Sequence, residues 1–348
     1  MCGLFFGWLK PFLRHRFRKS KYLIVKVAII TGVTGQDGAY LSRLLIGKGY
    51  KVIGLIRSMY GSNLSRLQYL DLLDKMELVE CDLGDLSQVL NIIAEYKPTE
   101  IYNLAAQSSV ALSFKQPIGT IEFNTRSVLN FLEAIKLLNP AIRFYQASSS
   151  EMFGKVLNLP ITEESTVHPL SPYAISKVTA HYICINYRES YKLYTSCGIL
   201  FNHESYLRGE NFFVRKLIKG ALDIVNGKEK HLEFGNLDIK RDFGWSEKYV
   251  EAMWLLLQQD KPDDFVICSG SSISLREIVH YVFDQFKIDR SLIKINPQLF
   301  RPTEIEDIYG SNQKASRLLN WQYETSFFTV LDNIIEEERR NHAESSAK

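Results

Sequence analysis

From Lys26 onward, short apolar runs alternate with longer stretches of helical period. Residues 27–30, 52–56, 76–79, 101–104, 142–146 and 195–200 read as strands. Most of these are apolar at consecutive positions, the pattern of strands buried on both faces. Residues 38–47, 86–96, 120–138 and 172–191 read as the intervening helices. Strands and helices in strict alternation predict an α/β fold, a doubly wound parallel sheet covered on both sides. Ligands of such sheets bind outside the carboxyl ends of the strands.

After Leu200 the rhythm loosens. Helical stretches at 211–226, 246–259, 275–286 and 327–339 are separated by loops rich in Arg, Asp, Asn and Pro. The pattern predicts a Rossmann-type dinucleotide domain over 26–200 and a smaller mixed α/β substrate lobe over 201–340, with some interleaving. No internal repeat, low-complexity linker or heptad run interrupts it.

Charge changes the picture only at the amino terminus. The formal net charge is +3. Lys10, Arg14, Arg16, Arg18, Lys19, Lys21 and Lys26 fall within the first 26 residues, which hold no acid; the rest of the chain has 35 basic against 39 acidic residues. The body is mildly acidic, which argues against nucleic acid as a partner. Residues 1–25 are expected to lie outside the fold. Their apolar run, 3–13, is too short to span a bilayer and is interrupted by Pro11. An interfacial anchor through residues 1–20 is the alternative, not the favoured reading. Cys2, Cys81, Cys184, Cys197 and Cys268 have no metal-ligand spacing, and the last four sit in apolar contexts. They read as free thiols in a reducing, cytoplasmic compartment, and no metal is expected.

Three stretches carry chemistry. Gly32, Gly35 and Gly38 follow the first strand and open a helix, a placement that lets backbone approach a pyrophosphate at a helix amino terminus. The spacing is G-x-x-G-x-x-G. At the end of the second strand stands Arg57, with no acid before Asp71, which predicts NADP rather than NAD. Asp82 follows the third strand and could accept from the adenine amino group or cap the next helix. In Ser171-Pro172-Tyr173-Ala174-Ile175-Ser176-Lys177, a phenol and an amine lie one helical turn apart behind a capping serine and a first-turn proline. The ammonium is expected to lower the phenol pKa, so that Tyr173 can take a hydroxyl proton as hydride leaves. Ser148, Ser149 and Ser150 end the fifth strand, and chemistry alone does not say which hydroxyl meets the substrate oxygen. Glu151 is the extra group. A simple alcohol dehydrogenase has no need of it, whereas oxidation followed by loss of water requires an acid/base at that place.

The chain resembles the extended short-chain dehydrogenase/reductases and, among them, the GDP-mannose 4,6-dehydratases, over about residues 27–321. The resemblance rests on Thr31-Gly32-Val33-Thr34-Gly35-Gln36-Asp37-Gly38, Asn103-Leu104-Ala105-Ala106-Gln107-Ser108, Ser148-Ser149-Ser150-Glu151, Asn202-His203-Glu204-Ser205, Arg208-Gly209-Glu210-Asn211 and Arg301-Pro302-Thr303-Glu304. It implies that Ser149, Glu151, Tyr173 and Lys177 are catalytic. Gln36, Asp37, Leu83, Leu104, Ala105, Ala106 and Ser108 would join the glycines, Arg57, Asp82, Tyr173 and Lys177 around NADP. Asn202, Glu204, Arg208, Asn211, Lys216, Arg241, Arg301 and Glu304 would meet the GDP-sugar. The implied reaction oxidises mannose at C4, eliminates water across C5–C6 and returns the hydride to C6. A homo-oligomer, dimer or tetramer, is implied as well.

Three departures stand out. Ser149 replaces the family's usual Thr, Met59-Tyr60-Gly61 interrupts a serine-rich loop, and the 295–302 stretch is similar to the partner reductase that acts on GDP-4-keto-6-deoxymannose. That reductase, a bifunctional enzyme and a GDP-heptose 4,6-dehydratase are the alternatives.

Overall fold

The structure, a computed structural model, describes residues 25–300 and 302–346. The expected amino-terminal extension, up to residue 24, and Arg301 lie outside the described residues. The strands are β1 Val27–Thr31, β2 Lys51–Ile56, β3 Glu77–Glu80, β4 Glu100–Asn103, β5 Arg143–Ser149, β6 Thr195–Leu200, β7 Asn202–Glu204, β8 Leu232–Phe234, β9 Lys240–Trp245, β10 Asp264–Ile267, β11 Ser272–Ser274, β12 Ile293–Ile295 and β13 Asp307–Ile308. The helices are α1 Gln36–Gly47, α2 Ser65–Tyr69, α3 Leu86–Tyr96, α4 Val110–Lys115, α5 Pro117–Leu138, α6 Pro172–Tyr191, α7 Phe213–Val225, α8 Ser246–Leu256, α9 Leu275–Gln285, α10 Gln313–Leu319 and α11 Phe327–Ser346.

Seven strands form the main sheet in the order β10-β6-β5-β4-β1-β2-β3, with every neighbouring pair parallel. The order reverses between β1 and β4, which opens a crevice at their carboxyl ends. On one face α1 and α8 bury Leu41, Leu45, Met253 and Leu256. On the other, α3, α5 and α6 bury Ile92, Phe131, Leu132 and Cys184. Removing each such side chain from water contributes roughly 1.5–3 kcal/mol. That two-sided burial is why the strands read as continuous apolar runs. Smaller strands β7, β9, β11 and β13 form a second sheet, and β8 pairs with β12. Helices α7, α9 and α11 close a third core around Phe283 and Leu331.

The helix ends follow their local chemistry. Ser171 caps α6 by accepting from Ala174 N at 3.1 Å, with Pro172 in the first turn, and Lys192 leaves the helix at φ 57°. Asp85, not Asp82, caps α3, by accepting from Ser87 N at 2.8 Å. The chain also returns to the first sheet after leaving it, because β10 pairs with β6 and α8 packs on α1. Cys81, Cys184, Cys197 and Cys268 are buried free thiols. Among the described residues no helix is long and apolar enough to cross a membrane.

Candidate active site

A cavity of about 1160 Å³ runs along the carboxyl ends of β1 to β6. Its floor is the glycine turn. Gly32 has φ +66°, and a Cβ there would lie 2.9 Å from Ala105 N. A Cβ on Gly38 would lie 2.4 Å from Gly32 O. Gly35 N donates to Gly32 O at 2.9 Å, and α1 begins at once with no side-chain cap, so its first N–H groups face the cavity without a side-chain acceptor. Thr31 holds the opposite wall: its Oγ1 accepts from Leu104 N and Ala105 N, both at 3.0 Å, and donates to Asn103 at 2.8 Å. Substituting Gly38→Ala is therefore expected to weaken dinucleotide binding at least tenfold and to destabilise the fold by about 1–3 kcal/mol. Dinucleotide titration and denaturant melts check both.

Arg57, Asp82, Leu83, Leu104, Ala105, Ala106 and Ser108 all line this cavity. Arg57 is exposed at the end of β2 and lies 6.0 Å from the Phe123 ring. Asp82 accepts from Gly84 N at 2.9 Å, a local turn that leaves the capping of α3 to Asp85. Gln36 and Asp37 line the cavity as well, and their side chains also tie the start of α1 to the segment after β6. Gln36 donates to His203 O at 3.2 Å, and Asp37 accepts from His203 Nε2 at 2.9 Å and from Ser246 at 2.8 Å. Burial alone would raise the Asp37 carboxyl, but the charge and hydrogen bond of His203, with Arg208 and Ser246, hold it well below the usual range.

The reacting groups gather where β5 and α6 converge. Ser149 ends β5 and caps the 3-10 turn Ser150–Phe153, accepting from Glu151 N at 3.2 Å. That turn brings Glu151, half-buried, to the cavity wall. The Ser149 hydroxyl stands near the Tyr173 phenol and favours its deprotonated form. Ser148 bonds His181 Nδ1 at 2.9 Å, which sets it apart from Ser149. Lys177 Nζ donates to Ala147 O at 2.8 Å and sits 5.8 Å from the Tyr173 ring centroid.

The electrostatics correct one expectation. Burial pushes the Tyr173 phenol up to about 12; the Ser149 hydroxyl and Arg208 pull it down, and Glu151 pushes it further up. The phenol is not lowered, because Lys177 is itself desolvated, down to about 8, and gives its hydrogen bond to a carbonyl. Sequence reasoning missed the chain that braces this corner. Asn124 on α5 accepts from Gln107 N at 2.9 Å and donates to Ser176 at 2.9 Å, tying the β4 loop to the helix of Tyr173. Contacts 17 and 52 residues apart leave no local signal.

Of the residues expected to meet a GDP-sugar, Asn202, Arg208 and Asn211 line the same cavity, and the Arg208 guanidinium lies 3.7 Å from the Phe212 ring centroid. Glu204, Lys216, Arg241 and Glu304 stand off its wall. Glu204 is buried behind Arg208 at 3.6 Å, and Lys216 is exposed on α7. Arg241 is buried and donates to the Lys240 and Ile305 carbonyls at 2.7 Å, and Glu304 accepts from Asn236 at 2.9 Å. One set of potential metal ligands, His181, Cys197 and Asp264, has donor atoms within 4.8 Å of one another. Arg188 already forks onto that carboxylate, so the charge a cation would need is spent.

A family model described as GDP-mannose 4,6 dehydratase matches residues 29–334. The GDP-mannose 4,6 dehydratase of Drosophila melanogaster is 42% identical over 338 residues, covering 89% of this chain and 85% of that protein. GDP-mannose 4,6 dehydratase 1 of Arabidopsis thaliana is 42% identical over 324 residues, covering 90% of each. Among solved structures, the dTDP-glucose 4,6-dehydratase of Streptomyces venezuelae with NAD and TYD bound matches with a TM-score of 0.82 at 20% identity, covering 91% of this chain and 98% of that one. That last likeness is one of fold: a parallel seven-stranded sheet with an appended lobe. With the model match and the two relatives, the chain belongs to the GDP-mannose 4,6-dehydratase family.

Proposed function

We propose that this protein converts GDP-mannose to GDP-4-keto-6-deoxymannose, with NADP recycled in each turnover. The observation that carries the reading is Glu151, held by the Ser149-capped turn on the cavity that Tyr173 and Lys177 also line. The residues fit a dinucleotide: a Cβ would fill the cradle at Gly32 and Gly38, and a base rather than an acid ends β2. Arg57 favours the 2′-phosphate of NADP. When bound, the nicotinamide supplies hydride acceptance from C4 and hydride return to C6.

Every other step falls to the chain. Tyr173 takes the proton of the 4-hydroxyl while Ser149 holds the oxygen. Lys177 keeps a positive charge near the phenol and stabilises its deprotonated form. The new 4-ketone acidifies C5–H, Glu151 removes that proton, the same carboxyl protonates the departing 6-hydroxyl, and Tyr173 gives the proton it took to C5 as hydride returns to C6. Arg208 and Asn211 face the sugar-nucleotide end, and Arg208 offers a fork suited to a diphosphate.

The division of labour follows the same proposal. Residues 26–200 bind the dinucleotide and 201–340 the GDP-sugar, with α8 and β10 interleaved into the first part. A homo-oligomer, dimer or tetramer, is supported by Ile118, Leu129, Ile175 and Tyr182, exposed on the neighbouring helices α5 and α6. A cytoplasmic setting rests on the four buried free thiols.

Incubation with GDP-mannose and catalytic NADP, followed by product mass and cofactor absorbance, tests the reaction. Loss of one water with no accumulating NADPH is expected. No reaction there, but NADPH consumption with GDP-4-keto-6-deoxymannose, would make the protein a reductase.

A further inference from the structure

Asp37, the second residue of α1, stands directly beyond the glycine turn, and its carboxylate is fully engaged. Oδ2 accepts from His203 Nε2 at 2.9 Å; Oδ1 accepts from Ser246 Oγ at 2.8 Å and Gln36 Nε2 at 3.1 Å. The other nitrogen of His203, Nδ1, faces the Phe201 carbonyl at 2.7 Å. A carbonyl and a carboxylate can only accept, so each ring nitrogen of His203 faces an acceptor. The Tyr249 ring lies 4.6 Å away, over the imidazole.

Parallel ties run beside this ion pair. Gln36 donates to His203 O at 3.2 Å and accepts from Ser205 Oγ at 2.8 Å. Ser205 Oγ in turn accepts from Leu207 N at 3.1 Å. Arg66 spans the same gap, donating to Thr34 O at 3.0 Å and to Leu207 O. The start of α1 is thus stitched to residues 203–207, and that short stretch is bounded by Asn202 and Arg208, both on the cavity wall. For stability alone, a buried ion pair offers little over apolar packing of the same volume. Its geometry does specify one register between the two segments.

We propose that the Asp37–His203 ion pair is a positioning link through which dinucleotide binding at the α1 amino terminus raises affinity for the GDP-sugar, and the reverse. The inference rests on the reading that this cavity takes both ligands. The physical basis is shared ordering. A dinucleotide on the glycine turn immobilises the start of α1, and the ion pair passes that restraint to Asn202 and Arg208. The second ligand then meets a wall already ordered, which is positive coupling, and linkage makes it reciprocal.

The test uses the full chain freed of nucleotide and GDP as the probe. Calorimetry gives the GDP dissociation constant with and without saturating NADP, for the wild type and for Asp37→Asn, His203→Gln and Ser246→Ala. In the wild type NADP is expected to tighten GDP binding about tenfold. In Asp37→Asn and His203→Gln that factor falls to about one; because one buried partner is left unpaired, the melting temperature falls as well, and the factor rather than the melt decides. Ser246→Ala, which leaves the ion pair in place, keeps most of it. A packing role alone would lower the melting temperature and leave the factor intact.

A factor of one in the wild type, or an unchanged factor in both charge variants, overturns the proposal. Absence of any GDP binding to the wild type overturns the GDP-sugar reading itself, and the link with it. Should either charge variant fail to fold, Gln36→Ala cuts a parallel tie and one hydrogen bond to the Asp37 carboxylate, keeps both partners of the ion pair, and must show a partial loss. An unchanged factor there counts against the link.

Discussion

Glu151→Gln is expected to cut turnover of GDP-mannose by about 10³-fold while leaving dinucleotide affinity within a factor of two. Gln keeps the shape of the side chain and its place on the 3-10 turn, but it can neither take the C5 proton nor return one to the leaving hydroxyl. Glu151 is half-buried and the substitution keeps its size, so stability should move by no more than about 0.5 kcal/mol. Oxidation at C4 does not need this group. The variant should therefore show reduced cofactor under single-turnover conditions, without loss of water. A second consequence follows from charge. The Glu151 carboxylate pushes the Tyr173 phenol up, so removing it should let the oxidation step begin at lower pH. Mass spectrometry of product with stopped-flow absorbance reads both. Water loss at the wild-type rate would remove Glu151 from the mechanism.

The second large effect has opposite signs in activity and stability. Lys177→Met should abolish turnover, by about 10³-fold or more, because the buried positive charge that makes a phenolate tolerable is gone. The same change should stabilise the folded chain at neutral pH. Burial pushes the Lys177 ammonium down to about 8, so folding disfavours the charged form. That penalty is fully present below the folded value, shrinks as pH rises towards the unfolded value of about 10.4, and is gone above it. Removing it should add about 1–3 kcal/mol at pH ~7 and nothing at pH ~11. The hydrogen bond from Lys177 to Ala147 O is lost, but that carbonyl still accepts from Gln146 Nε2 at 3.1 Å. Denaturant melts at the two pH values decide the matter. A variant less stable at neutral pH would mean that the ammonium contributes to the fold rather than straining it.

Much of the fold was legible where both ends of an element carry local chemistry. The α3 and α6 spans were read to the residue, and Ser171-Pro172 marks the start of α6 locally. Strand β6 was read to the residue too. Elements that depend on neighbours were not. Strand β5 continues past Gln146 to Ser149 because Ser148 and Ser149 pair with Ile199 and Leu200, a ladder invisible in the run of serines itself. Strand β10 is only four residues and lies far along the chain, in a region whose pattern suggested the second lobe. It belongs to the main sheet because the outer side of β6 needed a partner. Short helices α2 and α4 are below the length at which period can be recognised.

The sequence alone determined the doubly wound order, the glycine turn opening α1, and the presence of Ser149, Glu151, Tyr173 and Lys177 at strand and helix ends, because each of these is written in contiguous residues. Only the tertiary structure decided which serine faces the phenol, which acid caps α3, and that Arg241 and Glu304 stand off the cavity. It also decided that Asp37 spends its carboxylate on a histidine 166 residues away. And it reversed the expected direction for Tyr173, since a pKa depends on how many surrounding atoms exclude water and on where a neighbour gives its hydrogen bond. Neither quantity exists until distant segments pack.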